Sequence, residues 1–314
     1  PLLAHSSDPA GSRPNIIFIL SDDMGWAQPG FNGGNAELTP NLDTLASEGL
    51  QLTAHYTHSV CAPTRGAFLT GRYSFRNWMD WRSEDFGKPS YLAKLGLTLA
   101  HTEAGEETRR IHALESSERT VAEALKDAGY FTSICGKWHC GEWLPEHLPM
   151  GQGFMHQYGF YAWGIDYYNK SIVHNAPARF AVYDWHRNQE PVWEEGYATD
   201  LLADEAVRVI EESTGQQPLF VYVAFNAVHG PLNPPPGFEG NPGEPLEIRD
   251  AMLENMDTNV GKIMKAVEEK GIRDNTLFIF ANDNGPVMEE MSAPYRGTKN
   301  TTFEGGVRTP CLVR

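Results

Sequence analysis

The feature that most constrains the fold is a short apolar run, Asn15-Ile16-Ile17-Phe18-Ile19-Leu20, that stops abruptly at Ser21-Asp22-Asp23-Met24-Gly25. Continuous β-branched and aromatic character over so few residues predicts a strand covered on both faces rather than a half-exposed one. Strands of that kind sit in parallel sheets, because crossover connections lay helices over both faces. The unit recurs down the chain. Ser117–Ala128 reads as a capped amphipathic helix closed by Gly129, and Tyr130–Cys135 as a strand opening into Gly136-Lys137-Trp138-His139. Thr199–Glu212 has apolar residues at helical spacing and precedes the strand Leu219–Phe225, whose loop runs from Asn226 to Pro236. Ile248–Lys270 is a further helix, ended by Gly271, before the strand Thr276–Phe280 and the loop Ala281-Asn282-Asp283-Asn284-Gly285.

Near the start, Thr39-Pro40-Asn41-Leu42-Asp43 supplies an N-cap, a proline at the first helical position and an early acid, and the helix should end at Gly49. Leu50–His58 then reads as extended. The sum is an α/β fold with a mainly parallel central β-sheet sandwiched by helices. The polar loops all follow strands, and ligands of open α/β sheets bind outside the carboxyl ends of strands, so four loops should meet on one edge. Segments 78–108 and 141–193 are rich in glycine, proline and aromatics with weak periodicity, and read as long insertions over that edge.

Composition excludes several classes. With 41% apolar and 21% charged residues over 314 positions, the chain is neither disordered nor fibrous nor a coiled coil. A net charge of −16 argues against nucleic acid as a partner, so a polyanion would need a local basic pocket. No apolar run approaches the roughly 18–20 residues of a membrane span. Four cysteines, Cys61, Cys135, Cys140 and Cys311, are too few for a disulfide scaffold; Cys135 and Cys140 have neither zinc-finger nor thioredoxin spacing and read as structural or free thiols. Residues 1–14 read as a processed or truncated tail ahead of one domain, 15–314. The sequons at Asn169 and Asn300 permit glycosylation in a secretory protein.

Asp22-Asp23 and Asp283-Asn284 lie at equivalent strand ends and together offer three carboxylates and an amide. Brought together they would repel one another without a cation, and hard oxygen ligands suit calcium or magnesium better than zinc. Either pair alone would be an ordinary solvated loop; it is their equivalence that points to a metal centre.

The segment Cys61-Ala62-Pro63-Thr64-Arg65, followed by Thr70-Gly71-Arg72, resembles the signature of the sulfatase family, C-x-P-x-R with a later T-G-R element. The resemblance covers almost the whole chain. Asn15–Gly25 resembles the family's opening strand and metal loop, and Thr39–Asp43 with Leu45-Ala46 its next helix. Gly136-Lys137-Trp138-His139 resembles its G-K-W-H block, Val228-His229-Gly230-Pro231 its H-x-P block and Asp283-Asn284-Gly285 its second metal loop. Arg296-Gly297-Thr298-Lys299 and Glu304-Gly305-Gly306-Val307-Arg308 resemble the closing segment. The general texture is similar to the arylsulfatase B-like branch. The implied fold is alkaline-phosphatase-like, and because members usually continue into a C-terminal subdomain, a chain ending at Arg314 is expected to be truncated.

The resemblance implies that Cys61 is oxidised to formylglycine by a formylglycine-generating or equivalent maturation enzyme, and that Asp22, Asp23, Asp283, Asn284 and the modified Cys61 bind one divalent cation, expected to be Ca2+. Arg65 would hold the aldehyde's diol, and Lys137 and Lys299 would clamp the sulfate. One diol oxygen would attack sulfur, with His229 or Lys299 protonating the departing alcohol; His139 would then deprotonate the second hydroxyl so that sulfate leaves by elimination. The implied substrate is a sulfated carbohydrate or an aryl sulfate, and the implied compartment extracytoplasmic: secreted, lysosomal or periplasmic. Two other readings stay open: a phosphomonoester or phosphonate hydrolase of the same superfamily, and a non-catalytic module that binds sulfated glycans. Outside the motifs, His55, His58, Trp78, Trp81, Trp143, Trp163 and Trp185 could stack on a sugar or aryl group, or serve as core.

Overall fold

The protein is described by a computed structural model that covers residues 13–77, 79, 98–101, 107–110, 113–142, 144–172 and 182–314. The expected tail up to residue 12, most of the segment 78–108, and Trp78, Trp81 and Trp143 fall outside the described residues. In chain order the strands are β1 (Asn15–Ser21), β2 (Leu50–Gln51), β3 (Thr98–His101), β4 (Glu107–Arg110), β5 (Phe131–Lys137), β6 (His156–Phe160), β7 (His186–Arg187), β8 (Glu190–Pro191), β9 (Leu219–Ala224), β10 (Thr276–Asn282) and β11 (Cys311–Val313). The helices are α1 (Pro40–Glu48), α2 (Cys61–Thr70), α3 (Val121–Asp127), α4 (Ala198–Glu212), α5 (Pro245–Glu269) and α6 (Glu304–Val307).

Nine strands form one open sheet in the order β2-β11-β10-β1-β9-β5-β6-β7-β8, and β3 and β4 pair separately. The five central strands, β10, β1, β9, β5 and β6, run parallel. Short antiparallel strands close both edges, so the sheet is mixed. Period-2 alternation sends Ile17 and Ile19 into a core shared with α1, α4 and α5. It sends Phe18 and Leu20 to the opposite face, against α2 and α3, where the Phe18 ring stacks on Phe68 with centroids 4.1 Å apart.

Several boundaries differ from the sequence reading. The helix expected from Ser117 begins at Val121, because Thr120 Oγ1 accepts from the Glu123 amide while the Glu123 carboxylate accepts from the Thr120 amide, a reciprocal cap that no hydroxyl upstream matches. Helix α1 has the expected bounds for a different reason: the Thr39 hydroxyl accepts from the Gly30 amide and makes no bond to a helix amide. The extended stretch expected over 50–58 contains only the short β2 and an isolated bridge at Tyr56. Segment 141–193, read as an insertion, contributes β6 to the parallel core and β7 and β8 to the edge. Between β5 and β9, Gly136 has φ +132°, and a Cβ there would lie 1.9 Å from the Ala224 carbonyl oxygen, so only glycine lets β5 run this close while delivering Lys137 to the sheet edge.

Candidate active site

Because β10, β1, β9 and β5 are adjacent and parallel, the residues that follow them emerge side by side. Asp22 and Asp23 follow β1, Asp283 and Asn284 follow β10, His229 follows β9, and Lys137 ends β5 two residues before His139. Cys61 begins α2 and Arg65 lies one turn on, both inside the sheet edge. Lys299 enters from the segment ahead of α6, its amide bound to the Pro286 carbonyl 2.8 Å away. All ten residues singled out from the sequence are therefore gathered in one place.

Arg65 is the hub. Its Nη2 donates to Asp283 Oδ2 at 2.8 Å and Asp22 Oδ2 at 3.2 Å, and its Nη1 donates to the Lys137 carbonyl at 3.1 Å. The Lys137 ammonium donates to Asp22 Oδ2 at 2.5 Å, and the Lys299 ammonium to Asp23 Oδ1 at 2.6 Å. Asn284 Nδ2 donates to Asp23 Oδ1 at 2.7 Å. His229 Nδ1 lies 2.5 Å from the Gly230 carbonyl, which can only accept, so Nδ1 carries the proton. Its Nε2 faces Asp23 Oδ2 at 3.8 Å. Asp23 and His139 both hold left-handed backbone, φ 60° and 54°, a conformation uncommon outside glycine and found at functional sites.

Burial sets the electrostatics. It opposes ionisation of Asp22, but Lys137, His229, Arg65 and Lys299 outweigh it and hold that carboxyl well below the usual range. Asp283 moves the other way, to about 7, through burial and then the charge of Asp22, with Arg65 pulling against both. Burial pushes the Cys61 thiol up against the opposing pull of Lys137 and Lys299. Burial, then Lys137 and Arg65, holds His139 well below an ordinary imidazole; burial likewise lowers His229, against the pull of Asp22. Both rings are thus neutral at physiological pH.

The donor set fits a hard divalent cation. One oxygen of Asp22, one of Asp283 and the Cys61 sulfur lie within 4.8 Å of one another, and Asp22, Asp23 and His229 form a second such group. Asp22 Oδ1 and Asn284 Oδ1 are fully buried and have no hydrogen-bond partner among the described residues. Unpartnered buried acceptors at this point are compatible with a cation ligand set.

Two residues the sequence reading did not mark belong to this environment. Asn282 ties the acidic loops together, accepting from Ser21 Oγ at 2.8 Å and the Met24 amide at 3.1 Å and donating to the Met24 carbonyl. Its position beside Asp283-Asn284 was the available signal. Arg249, buried on α5, sits near Asp23 and Tyr167, and only its distant place in sequence hid it. Of the aromatic candidates, Trp163 packs edge-on against His229, centroids 5.7 Å apart, whereas Trp185 is core, enclosed by Tyr158 and Phe160. His55 bonds Thr309 and His58 is half-buried beside Ser74. Cys135, Cys140 and Cys311 are buried free thiols. Among the described residues no helix is long and apolar enough to cross a membrane.

Comparison with known proteins shows what the whole chain is similar to. The family model described as Sulfatase matches residues 14–314. The chain is 33% identical to N-acetylgalactosamine-6-sulfatase of Homo sapiens over 322 residues, covering 97% of this chain and 57% of that one. It is 30% identical to Arylsulfatase J of Mus musculus, covering 96% and 48%. The chain thus spans about half the length of the curated relatives it matches. Among solved structures, Ps i-CgsB in complex with k-i-k-neocarrahexaose superposes with a TM-score of 0.79 at 28% identity, covering 96% of this chain and 66% of that one.

Proposed function

The chain belongs to the sulfatase family, and from that premise we propose that it hydrolyses sulfate monoesters on a carbohydrate through a nucleophile made from Cys61. The observation that carries the reading is the gathering of Asp22, Asp283 and Cys61 within 4.8 Å beside the buried Arg65 and Lys137 and the partly buried Lys299. Formal charge shows why an anion suits the site. Asp22, Asp23 and Asp283 balance Arg65, Lys137 and Lys299, so a divalent cation would leave the pocket positive by two and ready for a sulfate ester. Asp22, Asp23, Asp283, Asn284 and residue 61 would hold the cation, which we assign as calcium from the all-oxygen side chains. When bound there, the cation neutralises sulfate oxygens and, with residue 61 oxidised to a hydrated aldehyde, favours ionisation of its hydroxyl.

The chain's own residues divide the remaining work. Arg65, tied to Asp22 and Asp283, fixes the two carboxylates one helical turn from residue 61, whose diol it would also hold. Lys137 and Lys299 hold sulfate oxygens by charge. The His229 Nδ1 proton is engaged by Gly230, leaving Nε2 as an acceptor, so Lys299 is the better donor to the departing alcohol and His229 orients the ester. His139, neutral and buried, takes the proton that releases sulfate. Sulfated carbohydrate is the preferred substrate class because relatives of similar sequence are named N-acetylgalactosamine-6-sulfatase and a similar structure is a complex with k-i-k-neocarrahexaose. The maturation enzyme and an extracytoplasmic location follow from the same reading, and Asn169 and Asn300, both exposed, are open to glycosylation.

Two linked measurements test the proposal. Peptide mass spectrometry across Cys61, on protein from a host with the maturation enzyme, should find the mass loss that accompanies conversion of a thiol to an aldehyde. Cys61→Ala should lose at least about a thousandfold in 4-nitrophenyl sulfate turnover with an unchanged circular dichroism spectrum. Ordinary turnover by that variant would overturn the mechanism.

A further inference from the structure

Strand directions bring a second set of side chains to the edge that carries the site. Strand β6 runs parallel to β5, so the chain leaves Phe160 on the same edge as His139. Strand β7 is antiparallel to β6, which puts Tyr183 on that edge, and β8 reverses again, returning Val192 and Trp193 to it. Trp193 is 77% exposed and stacks on Tyr183 with centroids 3.9 Å apart and planes 21° from parallel. One face of the indole is therefore supported and the other open. Tyr168, also exposed, stands nearby: the buried Lys170 ammonium bridges the Tyr168 and Glu194 carbonyls at 2.7 and 3.0 Å.

This rim is joined to the catalytic loop. The Tyr168 hydroxyl donates to the Pro234 carbonyl at 2.8 Å, and that of neighbouring Tyr167 to the Asn226 and His229 carbonyls at 2.7 and 2.9 Å. Trp163, against the His229 ring, lies on the same chain segment. Single exposed apolar residues need no explanation, but Tyr168, Val182 and Trp193 share one rim that is fixed to the site.

Charge decides what the rim can take. Over 163–172 and 182–197 the cationic side chains are Lys170 and Arg187. Lys170 is enclosed by three carbonyls, and Arg187 is held by Glu205, Glu194 and the Tyr158 ring. Among the described residues of these segments Asp166, Glu190 and Glu195 add negative charge. Among the described residues no lysine or arginine of these two segments is left to meet a sulfate, while the apolar face of an uncharged pyranose would be accepted.

We propose that Trp193 and Tyr168 form an aromatic subsite for an uncharged sugar ring of an oligosaccharide whose sulfated ring occupies the Cys61 pocket. The proposal rests on the sulfatase reading for its second half only. The probes are a neutral galactan hexasaccharide with one terminal sulfate, the same hexasaccharide without sulfate, and 4-nitrophenyl sulfate. Trp193→Ala should raise KM for the sulfated hexasaccharide about tenfold at similar kcat, leave 4-nitrophenyl sulfate turnover unchanged, and abolish the tryptophan fluorescence change on titration with the unsulfated hexasaccharide. Trp193→Phe should restore most of the affinity. Equal KM values for parent and Trp193→Ala, or an unsulfated hexasaccharide that leaves the parent's fluorescence unchanged, would overturn the subsite. Absence of turnover with every sulfate ester, with fluorescence binding intact, would instead overturn the sulfatase reading and leave the subsite standing.

Discussion

Replacing Arg65 with methionine probes the hub of the site, because methionine keeps much of the stem's volume while removing the charge. Arg65 is fully buried and its guanidinium is shared by two buried carboxylates, at 2.8 and 3.2 Å, and by a carbonyl at 3.1 Å. Removing one partner of a buried ion pair costs about 3–5 kcal/mol, since the other charge stays behind without compensation. Counting bonds gives a similar figure: two charge-assisted hydrogen bonds at about 1.5–3 kcal/mol each describe the same loss and are not added to it. At this chain length each kcal/mol shifts the melting temperature by about 2 °C, so Arg65→Met should melt about 6–10 °C below the parent in chelator. Excess calcium should recover part of that difference, because a divalent cation replaces the missing positive charge beside Asp22 and Asp283. Differential scanning fluorimetry with chelator and with calcium, on both proteins, reads the result. A variant melting within about 2 °C of the parent in chelator would refute the reasoning, because it would mean that Arg65 is not what holds the two carboxylates together.

Two further predictions concern stability away from that hub. Glu142 has its carboxyl pushed up to about 7, first by burial and then by the charge of Asp184, so its contribution is fully present below about pH 4.5 and is lost as pH rises through 7. Glu142→Gln should therefore match the parent near pH 4.5 and exceed it by about 1–3 kcal/mol at pH 8 in urea unfolding; equal stability at pH 8 would contradict this. Thr120→Ala removes the hydroxyl that caps α3 and also donates to the Gln152 carbonyl at 2.8 Å, and should lower unfolding stability by about 1–2 kcal/mol at all pH values in the same assay.

Much of this could be read from residues alone, for physical reasons. Strands β1, β9 and β10 are apolar because both faces are covered, so their runs stand out, and the polar loops that follow them, acidic after β1 and β10, mark the edge where ligands bind. Strand β6 escaped because His156-Gln157-Tyr158-Gly159-Phe160 has no β-branched residue and owes its place to backbone pairing with β5. Helix α2 escaped because Pro63 and Gly66 weaken its propensity; Gly66 is kept small by Met79, whose side chain leaves no room for a Cβ. The Thr120 cap was legible, since Thr120 and Glu123 have the reciprocal-cap spacing, but Ser117 offered a competing start. Arg249 could not be found, because nothing local distinguishes a buried arginine from a solvated one on a long helix.

Strand β1 is flanked by β9 and β10, and those partners lie far along the chain: Asn15 bonds a residue 204 positions away, and Ser21 one 260 away. Strand β1 is thus made long before either of its partners. Until β9 and β10 emerge, Ile16–Leu20 is an apolar strand with two open edges, a template for pairing with other chains. Slow, non-local closure of this kind predicts that the chain folds late and passes through an aggregation-prone interval, so its yield should depend on chaperone capacity and expression temperature more than its native stability would suggest.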